Sequence, residues 1–220
     1  TVATPATAAP PGPSEERSRA QAALERVVAL TAALDKRAVE RWGAEDYARA
    51  ASLRAEGDTA YRNLDYAAAA DRYAHAQARL EALDARGREV LAEALARGAA
   101  AIQAGEAAAA TDAYDLALAV APDNADAKAG RERAGKVEAV RALLGQAEAH
   151  AAAGRWEDAR AQWREALALD PDTAAATAGV RRADTALAGT RFTQAMTAGY
   201  AALEAGRLDV GLVSTAKYFL

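Results

Sequence analysis

The sequence predicts an all-α chain, a helical-repeat solenoid led by a long N-terminal helix. Three observations predict it. The first is a stretch that occurs twice. GAAAIQAGEAAAATDAYDLALAVAPD, Gly98 to Asp123, aligns with AEAHAAAGRWEDARAQWREALALDPD, Ala147 to Asp172. Gly105 then falls on Gly154, Ala110 on Ala159, Tyr114 on Trp163, Ala117 on Ala166, Leu118 on Leu167 and Pro122 on Pro171. A small residue, an aromatic four residues after an alanine, and a closing proline form the pattern of a repeated helix–turn–helix unit. The second is alanine, which supplies roughly 30% of the 220 residues, far above ordinary usage. Alanine is the best helix former, and its small side chain lets helices approach closely. The third is that only 5% of residues are aromatic, which suits many thin helix–helix seams better than one large core.

Composition also excludes. The net charge of −4 is made of interspersed signs. No basic stripe interleaved with aromatics is present, so nucleic acid is not an expected partner. The absence of cysteine removes disulfides, thiolate metal sites and cysteine nucleophiles. No apolar run approaches the length of about 18 residues that reads as a membrane span, so no membrane insertion is expected.

Residues 1–13 hold four of the six prolines and no apolar periodicity. They read as a disordered linker, either a tether to something upstream, such as a membrane anchor, or a ragged end. Ser14 stands as a helix cap with Glu15 and Glu16 in the first turn, where negative charge suits the dipole. Leu24, Val27, Leu30, Leu34 and Ala38 then mark an amphipathic helix running to about Arg41, with Val28 and Val39 on its flank. Its stripe is too short for sustained heptads, so it is expected to pack within the chain rather than between chains. Trp42-Gly43 breaks it, and residues 14–49 make up this helix and its connection.

The repeats occupy residues 50–220. Ala44–Arg62 and Tyr66–Leu83 pair around a turn at Asn63-Leu64-Asp65, where Asn63 tolerates the left-handed conformation. Gly57, Ala69, Tyr73 and Ala76 match Gly98, Ala110, Tyr114 and Ala117. Glu81 replaces the closing proline, so this second helix is expected to run on toward Gly87. Glu89–Ala104 and Glu106–Val120 form the next pair, stopped at Pro122. A helix from Asn124 to about Ala134 follows, then Lys136–Ala153 and Glu157–Leu169, stopped at Pro171. Thr173–Ala188 and Arg191–Ala205 read as two helices broken at Gly189-Thr190, with Phe192, Met196, Tyr200 and Leu203 on one face. Gly206 opens a further copy in which Gly211, Thr215 and Tyr218 depart from the pattern.

On these landmarks the sequence resembles the tetratricopeptide repeat (TPR) family, over 50–83, 91–124, 140–173 and, in part, 192–220. The family period is about 34 residues. Here Gly105 and Gly154 lie 49 residues apart, and Gly57 and Gly98 lie 41 apart, so extra helix is expected between pairs. The physics follows from the residue types. Gly57, Gly98, Ala147 and Gly199 sit where paired helices cross, with Ala69, Ala110 and Ala159 opposite the first three. Tyr73, Tyr114 and Trp163 fill the gaps between neighbouring units. Gly105, Gly154 and Gly206 permit positive φ at helix ends.

The resemblance implies a concave groove lined by one face of each pair's first helix. Carried onto this chain, that face is Arg54, Asp58, Tyr61 and Arg62, then Leu95, Ala99, Ile102 and Gln103, then Arg141, Leu144, Glu148 and Ala151, with Met196, Tyr200 and Glu204 from the last copy. The alternative is a face that is solvated or covered by the N-terminal helix. The lysine–asparagine clamp with which one family subgroup grips a terminal carboxylate is missing, since Asp58 follows Arg54 and the next copy carries Leu95 and Ala99.

No catalytic, cofactor or metal site is expected. His75 and His150 have no histidine or cysteine at ligand spacing, and no phosphate loop or nucleophile elbow is present. The expected function is a non-catalytic scaffold binding a protein or peptide. The alternative is structural self-assembly, as a homo-oligomer joined through the N-terminal helix or the C-terminal end; an enzyme ranks third. Alanine and arginine richness resembles bacterial members of the family. That resemblance suggests the envelope side of a membrane-anchored protein, with the cytoplasm as the alternative.

Overall fold

The computed structural model describes residues 12–206, and every regular element among them is helical. The helices are α1 (Pro13–Asp35), α2 (Ala44–Arg62), α3 (Tyr66–Ala104), α4 (Ala107–Val120), α5 (Ala125–Ala134), α6 (Val137–Ala152), α7 (Trp156–Leu169) and α8 (Ala174–Glu204). A 3-10 turn at Val39–Arg41 follows α1. Of the linker expected over residues 1–13, residues 1–11 lie outside the described residues, as does the further copy beyond Gly206, while Pro13 already belongs to α1. The chain divides into two compact units, Thr1–Ala134 and Gly135–Leu220.

The first unit is built along α3, which is 39 residues long. Two helices were expected here, separated near Gly87. One continuous helix is found, for two reasons. Glu81 cannot stop it as Pro122 and Pro171 stop α4 and α7. Gly87 costs a helix only about 1 kcal/mol, and its missing side chain serves a close approach. A Cβ there would lie 2.2 Å from Arg37 Nη2 and 3.1 Å from the Trp42 ring.

The N-terminal half of α3 pairs with α2 and its C-terminal half with α4. At each crossing a glycine meets an aromatic face. A Cβ on Gly57 would stand 2.6 Å from Tyr73, and one on Gly98 2.6 Å from Tyr114. Ala69 and Ala110 are wholly buried, so the helices close to alanine distance as the pattern requires. The far side of the Tyr114 ring is pinched by Gly130 of α5, where a Cβ would stand only 2.1 Å away.

A third helix lies on each pair, and in α5 and α8 it brings small residues to the pair at a three-then-four spacing. On α3–α4 it is α5, which buries Ala127, Gly130 and Ala134. On α2–α3 the chain cannot fold back over Tyr73, because α3 runs straight on. Helix α1 takes that place from the other end of the sequence and packs along α3. It buries Ala20 and Val27, with Ala23 against the same core. Its expected cis packing is thus found, but it stops at Asp35 rather than near Arg41. Gly12 and Pro13, not Ser14, start it: the Gly12 N–H donates to Glu15 Oε2 at 3.3 Å.

The second unit repeats the plan in α6, α7 and the first half of α8. Trp163 is fully buried between them, and a Cβ on Gly179 would lie 2.2 Å from its ring. The third-helix residues are Ala176, Gly179 and Ala183. The expected break at Gly189-Thr190 is absent, and α8 continues to Glu204. Nothing approaches Gly189 within 4 Å, so that glycine marks neither a turn nor a contact.

Helix ends follow the glycine expectation. Gly105, Gly154 and Gly206 have φ of 76°, 72° and 72°. In the first pair the left-handed residue is Leu64, with φ 63°, rather than Asn63. The reason is register, since Leu64 occupies the place that Gly105 and Gly154 hold in the other copies.

Candidate protein-binding face

The residues expected to line a groove do not share one environment. In the first pair α1 covers much of the face. Tyr61 stacks edge-on against Tyr66, with centroids 5.1 Å apart, and its hydroxyl accepts from Arg17 Nε at 3.3 Å and Gln21 Nε2 at 3.0 Å. Arg54 is half-buried on a small cavity of about 40 Å³ beside Val27, Thr31 and Tyr47, and its Nε finds no hydrogen-bond partner. Asp58 accepts from Tyr73 Oη at 2.7 Å. Burial first, and that hydrogen bond second, push the Tyr73 phenol above its ordinary range. Arg62 alone points outward, donating to Thr59 Oγ1 at 3.1 Å. At Arg54 and Tyr61 the alternative holds, since α1 lies against both, while Asp58 is engaged by Tyr73 of α3.

In the second pair Leu95 and Ile102 are half-buried and pack on the core of Tyr114, Ala127 and Ala134, while Ala99 and Gln103 are exposed. In α6, Arg141 pairs with Glu138 at 2.7 Å, and Leu144 packs on the core around Trp163. Ala151 is buried. Glu148 receives Arg182 Nη2 on both carboxylate oxygens, at 2.7 and 2.6 Å. The same guanidinium lies 4.9 Å from the Trp163 ring centroid, so the exposed Glu148 carboxylate pairs with α8 beside the buried indole.

On α8, Met196 is half-buried and Glu204 exposed. Tyr200 is 61% exposed, and its neighbours on that side, Phe192 and Leu203, are 48% and 51% exposed. At helical spacing these form one apolar stripe. The sequence reading placed all four of its apolar members on one face but had no means of telling that the face is uncovered.

A feature that sequence reasoning missed lies between the helices of two of the pairs. A cleft of about 650 Å³ opens between α3 and α4, floored by Ala100, Ala101, Ala104, Ala109 and Ala113 and rimmed by Arg41, Arg97, Glu106 and Asp112. Its counterpart between α2 and α3, about 600 Å³, is bridged by Glu56 and Arg72 at 3.3 Å. In α6–α7 the matching positions carry His150, Arg155 and Asp158. There Arg155 Nε donates to His150 Nδ1 at 3.0 Å, and Asp158 lies 3.6 Å from the same nitrogen. His150 thus belongs to a surface cluster at the end of the pair, not to the helix crossing. The alanine run GEAAAA was the only signal for the open cleft.

Among the described residues no group of three or more His, Cys, Asp or Glu is placed to hold a metal ion, and no helix is long and apolar enough to cross a membrane. No family model matches the chain, and neither a curated protein nor a solved structure matches it.

Proposed function

We propose that the chain is a non-catalytic scaffold of tetratricopeptide-like helix pairs that binds a protein or peptide partner. The observation that carries this reading is the stripe on α8. Of the five large apolar residues left exposed among the described residues, three are Phe192, Tyr200 and Leu203. Contiguous exposed apolar surface marks interaction sites, whereas single exposed residues such as Val28 need no explanation. The repeated glycine–aromatic crossings support the family resemblance. The non-catalytic part rests on the sequence alone.

Self-assembly is the second reading, because the same stripe could meet its own kind. The route through α1 is disfavoured, since its seam of Ala20, Val27 and Leu34 is spent inside the first unit. The test is recovery of a partner on immobilised protein, followed by titration of the purified partner. Leu203→Asp together with Phe192→Asp should abolish binding without loss of helicity. Charge reversal at Arg62 and Arg141 should leave it unchanged. Retained binding by the α8 double variant counts against the reading. A free protein that light scattering shows to be a concentration-dependent oligomer favours self-assembly instead.

A further inference from the structure

Helix α1 meets α2 and α3 around a small cavity of about 40 Å³. Its apolar walls include Val27 of α1, Ala50 of α2 and Leu80 of α3, each at most 2% exposed. The polar residues on it are Thr31 of α1 and Tyr47 and Arg54 of α2. The Arg54 Nε–H is buried and has no hydrogen-bond partner. A buried donor on a charged group is costly to leave in that condition, and it points to a bound water or ion. The two hydroxyls have already spent their hydrogens. Thr31 Oγ1 donates to the Val27 carbonyl at 2.8 Å, and Tyr47 Oη donates to Asp35. Each oxygen keeps a lone pair with which to accept. The Arg54 charge is close enough to the Tyr47 phenol to oppose the upward shift that burial and Asp35 impose on it.

We propose that this cavity is a binding site for one ordered water, which accepts from Arg54 Nε and donates to Thr31 Oγ1 and Tyr47 Oη. The volume exceeds the roughly 10–15 Å³ that a single water needs, and one donor with two acceptors matches the three hydrogen bonds a buried water typically makes. The same count selects water over other small occupants. A halide can only accept, and the site offers it a single donor. A metal cation would find oxygens but would also meet the Arg54 charge. An apolar guest would leave Nε unpaired. The water ties α1 to α2 on the face where the family resemblance placed a groove. Arg54 is thereby engaged within the fold, and the inference stands independently of the scaffold reading above.

The experiment uses the full chain with isotope-labelled methyl groups and water-selective NOE spectroscopy. Cross-peaks of the sign given by long-lived water should join the water resonance to the methyls of Val27, Ala50 and Leu80, whose burial keeps them from bulk solvent. Arg54→Met keeps an apolar stem and removes the donor. Its cross-peaks should be lost while circular dichroism shows the helices unchanged. Retention of the cross-peaks in Arg54→Met overturns the proposal, because magnetisation relayed through the two hydroxyls would then account for them. No cross-peak in the wild-type chain overturns it as well. So does a saturable shift of these methyls with sodium bromide that Arg54→Met abolishes, which would make the occupant a small anion. If Arg54→Met does not fold, a crystal structure of the wild-type chain decides. Electron density within hydrogen-bond distance of Arg54 Nε, about 2.7–3.2 Å, and of the two hydroxyl oxygens supports the water. Its absence, or an Nε turned onto a protein acceptor, removes it.

Discussion

Arg37 Nε donates a 3.1 Å hydrogen bond to the backbone carbonyl of Val120, 83 residues further along the chain. The carbonyl belongs to the last turn of α4, which has no intrahelical donor for it, and a cation there also meets the negative end of the helix dipole. The same guanidinium pairs with Asp84 on α3 and lies 5.6 Å from the Trp42 ring centroid. Trp42 Nε1 returns a bond to the Arg37 carbonyl at 2.8 Å. One side chain therefore joins the connector after α1 to two other helices. Its planar fork makes this feasible; a lysine ammonium presents no such fork. Arg37→Lys should lower stability by about 1–3 kcal/mol, the range for hydrogen bonds to charged groups. Urea unfolding measures it, and a change below about 0.5 kcal/mol, the scale of ordinary surface substitutions, would show the contacts to be incidental.

Trp163 is the largest fully buried side chain. Trp163→Ala should cost about 3–5 kcal/mol through loss of buried surface and the cavity left behind. Trp163→Phe should cost less, because it also removes an indole N–H that has no partner. Gly179→Ala should destabilise by about 1–3 kcal/mol, since the new methyl would collide with the ring. Thermal unfolding of the three variants tests the ranking, and a Trp163→Ala protein of wild-type stability would mean that the helices close over the gap.

Leu64 is a non-glycine residue in left-handed conformation and is 71% exposed. Replacing it loses no buried contact and relieves steric strain worth about 1–2 kcal/mol, partly offset by the greater freedom of glycine in the unfolded chain. Leu64→Gly should therefore stabilise by about 0.5–1 kcal/mol. A lower midpoint in urea would show that the α2–α3 turn is held by something other than its backbone preference.

Alkaline pH should weaken the first unit. Burial, and then a hydrogen bond to Asp35, raise the Tyr47 phenol from its usual 10.0 to about 12. The folded chain holds this proton more tightly than the unfolded chain does. The associated stability is therefore complete below pH 10 and is lost as pH rises toward about 12. Burial and Asp58 move Tyr73 the same way. Urea midpoints taken between pH 9 and 12, with tyrosine ionisation followed by absorbance, should fall together. Tyr47→Phe should flatten that fall, and an unchanged slope would remove Tyr47 as a cause.

The pairing of helices was legible because backbone stereochemistry and steric size leave marks in the sequence. Gly105 and Gly154 announce positive φ, Pro122 and Pro171 announce stops, and an aromatic sixteen residues after Gly57 or Gly98 announces the crossing it fills. What joins the pairs was not legible in that way. A missing proline at Glu81 says that a helix can continue, but not how far. Gly87 and Gly189 look alike in sequence, although one faces Arg37 and the other faces nothing. The binding face was the least legible part. Whether Arg54 and Tyr61 are open depends on where α1 lies, and that is settled by contacts between residues some 40 positions apart, such as Gln21 and Tyr61.

The uninterrupted course of α3 has a consequence for how the first unit comes apart. In repeat proteins whose modules meet only at interfaces, one module can fray while its neighbour persists. Here the second helix of one pair and the first helix of the next are a single rod, anchored by α1 at one end and by α4 and α5 at the other. Melting either pair leaves half of that rod without cover. The two pairs are therefore bound into one cooperative step, and their slowly exchanging amides should share a single opening free energy along the whole of α3.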